Sequence, residues 1–339
     1  MIIAVDAMGG DWGPSESVPG ALKALERCDA GLVLVGDEAV IRAELAKAGA
    51  ASSAEQRISI VHASEQITME DDPLEAVRHK RDSSLVVAAR LVREGAASAM
   101  VSAGSTGALV AAGPLVVGRI RGIARPALAT PVPTLRRPCL MLDVGANPEC
   151  KPEHLLQFAV LGSAYASELF GVERPSVGLL SNGTEPTKGT EVHRRAYELL
   201  AQSGLNFKGN LEGRDIQQGD VDVIVSDGFT GNVALKLMEG LGLAMFQMIR
   251  EEIGHGFATK LGAVMVKPAL KKVKARLDYS EYGGAPLLGL AGLVVKAHGS
   301  SKARAFASAI AVTERLTQAG VVANMERAAQ ALGGSATAN

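Results

Sequence analysis

Cysteine is scarce in this 339-residue chain: Cys28, Cys139 and Cys150 stand far apart, with no CxxC pair and no histidine at metal-ligand spacing. Such spacing excludes a disulfide framework, argues against a zinc site and fits a reducing cytoplasm. Aromatic residues make up only 4% of the chain, so base-stacking platforms for nucleic acid are not expected. The net charge of −1 supplies no bulk attraction for nucleic acid either. The opening MIIAVDAMGG has no basic segment ahead of an apolar run, so no signal peptide is expected. Residues 95–118 carry no charge over a length that could span a membrane, yet five glycines, three serines, Thr106 and Pro114 break them up. A strand, a loop and a buried helix account for that stretch.

What is abundant is apolar side chain, 47% of residues, enough for a large core without cross-links. Apolar runs at 2–6, 32–36, 58–62, 97–102, 139–144, 176–180, 221–225 and 292–297 read as strands, with helical patterns between most of them. The alternation predicts a three-layer α/β/α protein with a mostly parallel sheet, one large domain over 1–332 and a disordered tail at 333–339. Two regions differ in texture. Residues 119–137 hold five arginines, three prolines and no acid, and read as a loop-rich basic connection. A basic amphipathic helical excursion is expected at about 254–278, where lysines such as Lys271 lie over Val266, Leu270 and Val273.

The chain is organised around VDVIVSDGFTGNVALK at 221–236, an apolar strand that ends in Asp227-Gly228 and opens a helix with Thr230-Gly231-Asn232. Ligands gather at the carboxyl ends of parallel strands, where a starting helix presents unpaired N–H groups. Six strand exits share this character of glycine, small residues and one or two polar side chains: 6–11, 102–107, 143–147, 181–188, 226–232 and 298–301. At one edge of one sheet they would build a cleft for a small oxyanion, with Lys188 and His298 as its cationic or proton-handling groups. No GxGxxG or GxxxxGK[ST] pattern singles out a dinucleotide or a nucleoside triphosphate.

Several exits carry longer motifs: DAMGGD at 6–11, SAGSTGAL at 102–109, LDVGANPEC at 142–150, Thr187-Lys188-Gly189, DGFTGN at 227–232, PLLG from Pro286 and HGSS from His298. In kind and order these resemble the bacterial acyl-ACP:phosphate acyltransferases that open phospholipid synthesis, over nearly the whole chain. The resemblance implies a homodimer similar in fold to isocitrate and isopropylmalate dehydrogenases and to phosphotransacetylase. It implies transfer of a long-chain fatty acyl group from acyl carrier protein to inorganic phosphate, without metal or organic cofactor. It also implies a cytoplasmic enzyme docked peripherally on the inner face of the cell membrane.

Such a transfer needs positioning of phosphate and stabilisation of a tetrahedral oxyanion more than proton handling. Under that implied reaction Lys188 neutralises anionic charge, Asn232 and Thr230 donate hydrogen bonds, Asp227 orients Lys188 or accepts a proton, and His298 is the general acid or base. Gly104, Ser105, Thr106, Gly107, Asn147 and Gly231 are expected to contact phosphate or substrate, with Asp143 orienting Asn147. Arg119, Arg121, Arg136 and Arg137 are expected to receive the acidic carrier protein, with solvation of a loop or pairing across a dimer as the alternative. Val266, Leu270, Lys271 and Val273 are expected at the membrane. A covalent route through Cys150 remains open beside direct attack by phosphate. Two other classes stand beside it: a non-catalytic phosphate or acyl-chain binding protein, which would use the same loops, and a metal-dependent decarboxylating dehydrogenase, which would share the fold but needs an acidic cluster and a dinucleotide site that are not clearly written in the sequence.

Overall fold

The computed structural model describes residues 1–49, 56–254, 262, 265–273 and 283–336. Its strands are β1 (Ile2–Asp6), β2 (Gly31–Gly36), β3 (Ile58–His62), β4 (Ala99–Ser102), β5 (Ala127–Val132), β6 (Cys139–Leu142), β7 (Ser176–Leu180), β8 (Asn206–Leu211), β9 (Val223–Val225), β10 (Ala285–Leu288) and β11 (Leu293–Lys296). The helices are α1 (Pro14–Leu25), α2 (Glu38–Ala48), α3 (Pro73–His79), α4 (Ser84–Arg93), α5 (Thr106–Ala112), α6 (Pro152–Phe170), α7 (Glu191–Gln202), α8 (Gly228–Gly254), α9 (265–273), α10 (Ala303–Gln318) and α11 (Val321–Ala336). Local chemistry sets several of these ends. Asp37 accepts from Val40 N at the start of α2, Asp72 accepts from Leu74 N and Glu75 N at the start of α3, and Gly49 and Gly171 leave α2 and α6 in the left-handed conformation.

The strands form one eleven-stranded sheet in the order β3-β2-β1-β4-β11-β10-β5-β6-β9-β7-β8. Both faces are covered, as the period-two pleat requires: Ile3 and Val5 of β1 enter one apolar core while Ala4 enters the other. The first core holds Val18 and Leu25 of α1, Leu155 and Phe158 of α6 and Phe306 of α10; the second holds Leu85 and Val87 of α4 and Leu109 of α5. The α/β/α layering therefore stands as the sequence predicts.

The polarity of the sheet does not. β3, β2, β1, β4 and β11 are mutually parallel, as are β6, β9, β7 and β8, but between them β10 runs antiparallel to β11 and to β5, and β5 antiparallel to β6. The two parallel halves thus point in opposite directions, and the six exits do not share one edge. The stretch expected to be loop contains β5, disguised by Pro131. Leu287 and Leu288 of β10 pair with only the first two residues of β5, so beyond them β5 is locally an edge, where a strand tolerates proline. Ala285 and Pro286 pair instead with β11, so β10 is shared between the halves. At the other end of the chain α11 continues through Ala336, past the expected start of a disordered tail, and 337–339 lie outside the described residues.

Candidate active site

The exits of β1, β4 and β11 are locked into one surface. Ser102 Oγ donates to Asp6 Oδ2 at 2.6 Å and accepts from Gly104 N at 3.0 Å, while Asp11 N donates to Gly299 O at 2.9 Å. In the other half, Asp143 organises the exit of β6: its carboxylate accepts from the N–H groups of Leu128, Gly145, Ala146 and Asn147 and from Asn147 Nδ2. Burial pushes the Asp143 carboxyl above the usual range, and these bonds oppose that shift. The exit of β9 is tied to this clip, since Gly228 N donates to Asn147 O at 2.8 Å.

Between the two surfaces lies a cavity of about 790 Å³, roofed by α8 and floored by β5 and the exit of β11. Thr106, Asn232, Lys236, Lys296, His298 and Ser301 belong to its polar lining, with Glu239, Lys302 and Arg304 as further charged groups. From Asn232 along α8 the wall turns apolar through Leu235, Met238, Gly242, Leu243 and Phe246, facing Leu128, Pro131 and Val132 of β5. One compartment thus joins an end rich in cations and donors to a long apolar wall.

His298 is held ready as a neutral donor. Ser300 N donates to its Nδ1 at 3.2 Å, which leaves the proton of the neutral ring on Nε2. Partial desolvation, then the charges of Lys236 and Lys296, lower its pKa, so the neutral form prevails at physiological pH.

Of the four residues expected to do chemistry, the cavity gathers Asn232 and His298, with Thr106 beside them. Lys188 does not line it. β7 lies one strand further from the β10–β5 seam than β9, and on its exit Lys188 faces Glu185 at 3.8 Å. Asp227 and Thr230 serve the start of α8 instead: Asp227 Oδ1 accepts from Thr230 N and Oδ2 from Thr230 Oγ1, both at 2.8 Å.

The expected substrate contacts divide similarly. Asn147 is buried, and its amide protons go to Pro126 O and Asp143 Oδ2, so it is a strut and not a substrate donor. Gly231 is glycine because its α-carbon packs against the Asp143 carbonyl. Gly107 packs on Pro73, and Gly104 N is spent on Ser102. Ser105 Oγ accepts from Ala108 N as the cap of α5, and Ser105 and Gly104 border a separate hollow of about 140 Å³ with Gly10 and Thr68.

Cys150 is poorly suited to covalent catalysis. Burial, reinforced by the charges of Asp143 and Asp227, pushes its thiol up to about 12, so a thiolate is suppressed. Lys236 and Lys296 are the residues that sequence reasoning missed. Lys296 looked like the end of a core strand, and the available signal was a lysine closing the apolar run LVVK immediately before the His298 loop.

The arginines expected to dock a carrier are largely engaged within the chain. Arg119 donates to Ala124 O and Arg136 pairs with Asp220. Arg137 lies 2.6 Å from Asp222 Oδ1, an ion pair without hydrogen-bond alignment, on a carboxylate whose other oxygen accepts from Ser176 N and Oγ. Arg121 is exposed. In α9, Val266, Lys271 and Val273 are exposed and Leu270 is half-buried; the flanking parts of the expected basic excursion fall outside the described residues. Among the described residues no helix is long and apolar enough to cross a membrane.

Solved structures place this architecture in the class of phosphotransacetylase-type α/β folds. A phosphotransacetylase from Streptococcus pyogenes superposes with a TM-score of 0.66 over 94% of each chain at 18% identity. A branched-chain phosphotransacylase from Enterococcus faecalis reaches 0.58 over 94% of this chain and 99% of its own, at 14% identity. The chain belongs to the family described as fatty acid synthesis protein, whose model matches residues 1–324. Its curated relatives include a phosphate acyltransferase of Pelotomaculum thermopropionicum, 54% identical over 92% of this chain and 90% of its own, and one of Moorella thermoacetica, 50% identical over 95% and 94%. The protein is an acyltransferase of this family.

Proposed function

We propose that the protein transfers a long-chain fatty acyl group from the thioester of acyl carrier protein to inorganic phosphate, yielding acyl phosphate for phospholipid synthesis. The observation that carries this reading is the 790 Å³ cavity, which offers an anion its cations and donors and an alkyl chain its apolar wall. A phosphate oxygen attacks the thioester carbonyl carbon, the C–S bond breaks, and the carrier departs as a thiolate. Asn232 and the Nε2–H of His298 donate to the carbonyl oxygen as it becomes an oxyanion. His298 acts as a donor more than as a base, because its ring is held neutral. A decarboxylating dehydrogenase would hold a divalent ion between acids, and no group of three or more His, Cys, Asp or Glu is so gathered among the described residues.

The deciding assay incubates the protein with palmitoyl-ACP and follows free carrier thiol. Release is expected only when phosphate is present, and it should persist at near-parental rate in Cys150→Ser. Release without phosphate, or none at all, would favour a different activity or a binding protein. Loss of turnover in a folded Cys150→Ser would restore the covalent route.

The same reading includes two association surfaces. Val233, Leu237, Leu241, Met245 and Met248 form an exposed ladder on α8, supporting a homodimer built on that face. The exposed Val266 and Val273 beside Lys271 support attachment to anionic lipid, and the exposed Arg121 supports docking of an acidic carrier. Light scattering should give twice the chain mass and a monomer for Leu237→Glu/Leu241→Glu. Flotation with anionic vesicles should fail for Val266→Asp/Val273→Asp. An unchanged mass, or unchanged flotation, would discard the corresponding surface.

A further inference from the structure

Lys296 ends β11 at 9% exposure and lines the cavity together with Thr106, Asn232 and His298. Its Nζ donates to Ala103 O at 3.5 Å and to Ala297 O. An ammonium group has three protons, so two carbonyls leave one for the cavity. Of the other cations that line the cavity, Lys236 pairs with Glu239 at 2.8 Å, Lys302 lies over the Trp12 ring at 5.7 Å, and Arg304 is also engaged. Asp11 and Asp6 act on Lys296 through space, while its direct partners are neutral oxygens. A buried ammonium in that position is costly unless an anion completes its shell.

We propose that Lys296 is a catalytic residue of the acyl transfer, its third N–H binding the incoming phosphate and holding it beside the thioester carbonyl. The inference rests on the reaction proposed above and assigns its anion site. Lys296 exchanges no proton in the step: phosphate oxygen bonds to the carbonyl carbon, the C–S electron pair leaves with the thiolate, and solvent protonates that thiolate. The ammonium neutralises charge that phosphate brings into a site where water no longer screens it.

Burial lowers the Lys296 pKa to about 8; Asp11 and Asp6 oppose the shift and Lys236 assists it. His298 on the adjoining loop, neutral at that pH, adds no charge, and Glu239 is taken by Lys236. The ammonium is therefore present below about pH 8 and lost as pH rises through it. Phosphate is a dianion throughout that upper range, so any weakening there belongs to the protein.

The test measures phosphate-dependent thiol release by the parent, Lys296→Met and Lys296→Arg between pH 7 and 9.5. Lys296→Met is expected to lose roughly 10²-fold or more in kcat/KM for phosphate, with its circular dichroism and melting temperature preserved. The parent should lose phosphate efficiency above about pH 8, and Lys296→Arg, which stays charged, should keep whatever efficiency it has across the range. A folded Lys296→Met within about threefold of the parent would overturn the assignment. If Lys296→Met fails to fold, calorimetric titration of the parent with inorganic phosphate decides: affinity falling above about pH 8 supports the role, and constant affinity overturns it. A parent that releases no thiol with phosphate would instead overturn the proposed reaction, which separates the two failures.

Discussion

Alanine at position 231 is expected to destabilise the protein by at least about 3 kcal/mol, a large effect for one methyl group. The ideal Cβ would overlap the Asp143 carbonyl oxygen and lie 3.1 Å from Asp143 C and 3.4 Å from Val144 Cα. These are backbone atoms, and they cannot rotate away as a side chain would. Asp143 in turn holds four N–H groups and the Asn147 amide, so the displacement would spread through the exits of β6 and β9 together. Urea denaturation measures the loss; a midpoint equal to the parent's would show that the contact yields easily. A matching control is Gly240→Ala on the same helix, where a Cβ meets nothing within 4 Å and helix propensity favours alanine by up to about 1 kcal/mol.

Asn232→Ala should act on turnover and not on stability. Asn232 is exposed to the cavity one residue beyond that tight contact, with its side chain close to Gly145. Removing one preorganised donor to an oxyanion costs about 10²–10³ in kcat, or roughly 3–4 kcal/mol of transition-state stabilisation. The expected signature is a fall in kcat with an unchanged melting temperature. Thr230→Ala should give the converse, a loss of ~1 kcal/mol of helix-cap stability with little change in kcat. Equal effects on kcat would return Thr230 to the substrate, and an unaffected Asn232→Ala would remove the donor role.

The comparison of these neighbours shows what the sequence discloses. The strand, polar turn and helix around Asp227 are legible, because apolar alternation and the Asp-Gly punctuation are local signals. Which side chain meets the ligand is not local: Thr230 and Asn232 are two residues apart, yet one hydroxyl closes a cap while the other residue reaches the cavity. Lys188 stands apart from this cavity for a similar reason. Its glycine-rich exit has the right composition, but the rank of β7 within the sheet decides its distance from the seam. That rank and the reversed polarity were hidden because β5 carries Pro131 and β10 is only four residues long, too brief for periodicity to show. Lys296 was masked by its company, since a buried charge after three apolar strand residues looks like the edge of a core.

The shared strand also has a consequence for biosynthesis. β10 and β11 occupy the middle of the sheet but come from the last fifth of the chain, and β11 pairs with β4, nearly two hundred residues earlier. Each flanking half can settle its own pairings as it emerges from the ribosome, but neither can join the other until residue 285 and its successors arrive. Contacts of such long sequence separation form late, since the loop entropy must be met before they contribute. Lys296 and His298 arrive on the final piece, so a nascent chain that already owns Thr106 and Asn232 has no cavity for them to face. Competence therefore appears all at once, when that segment has emerged.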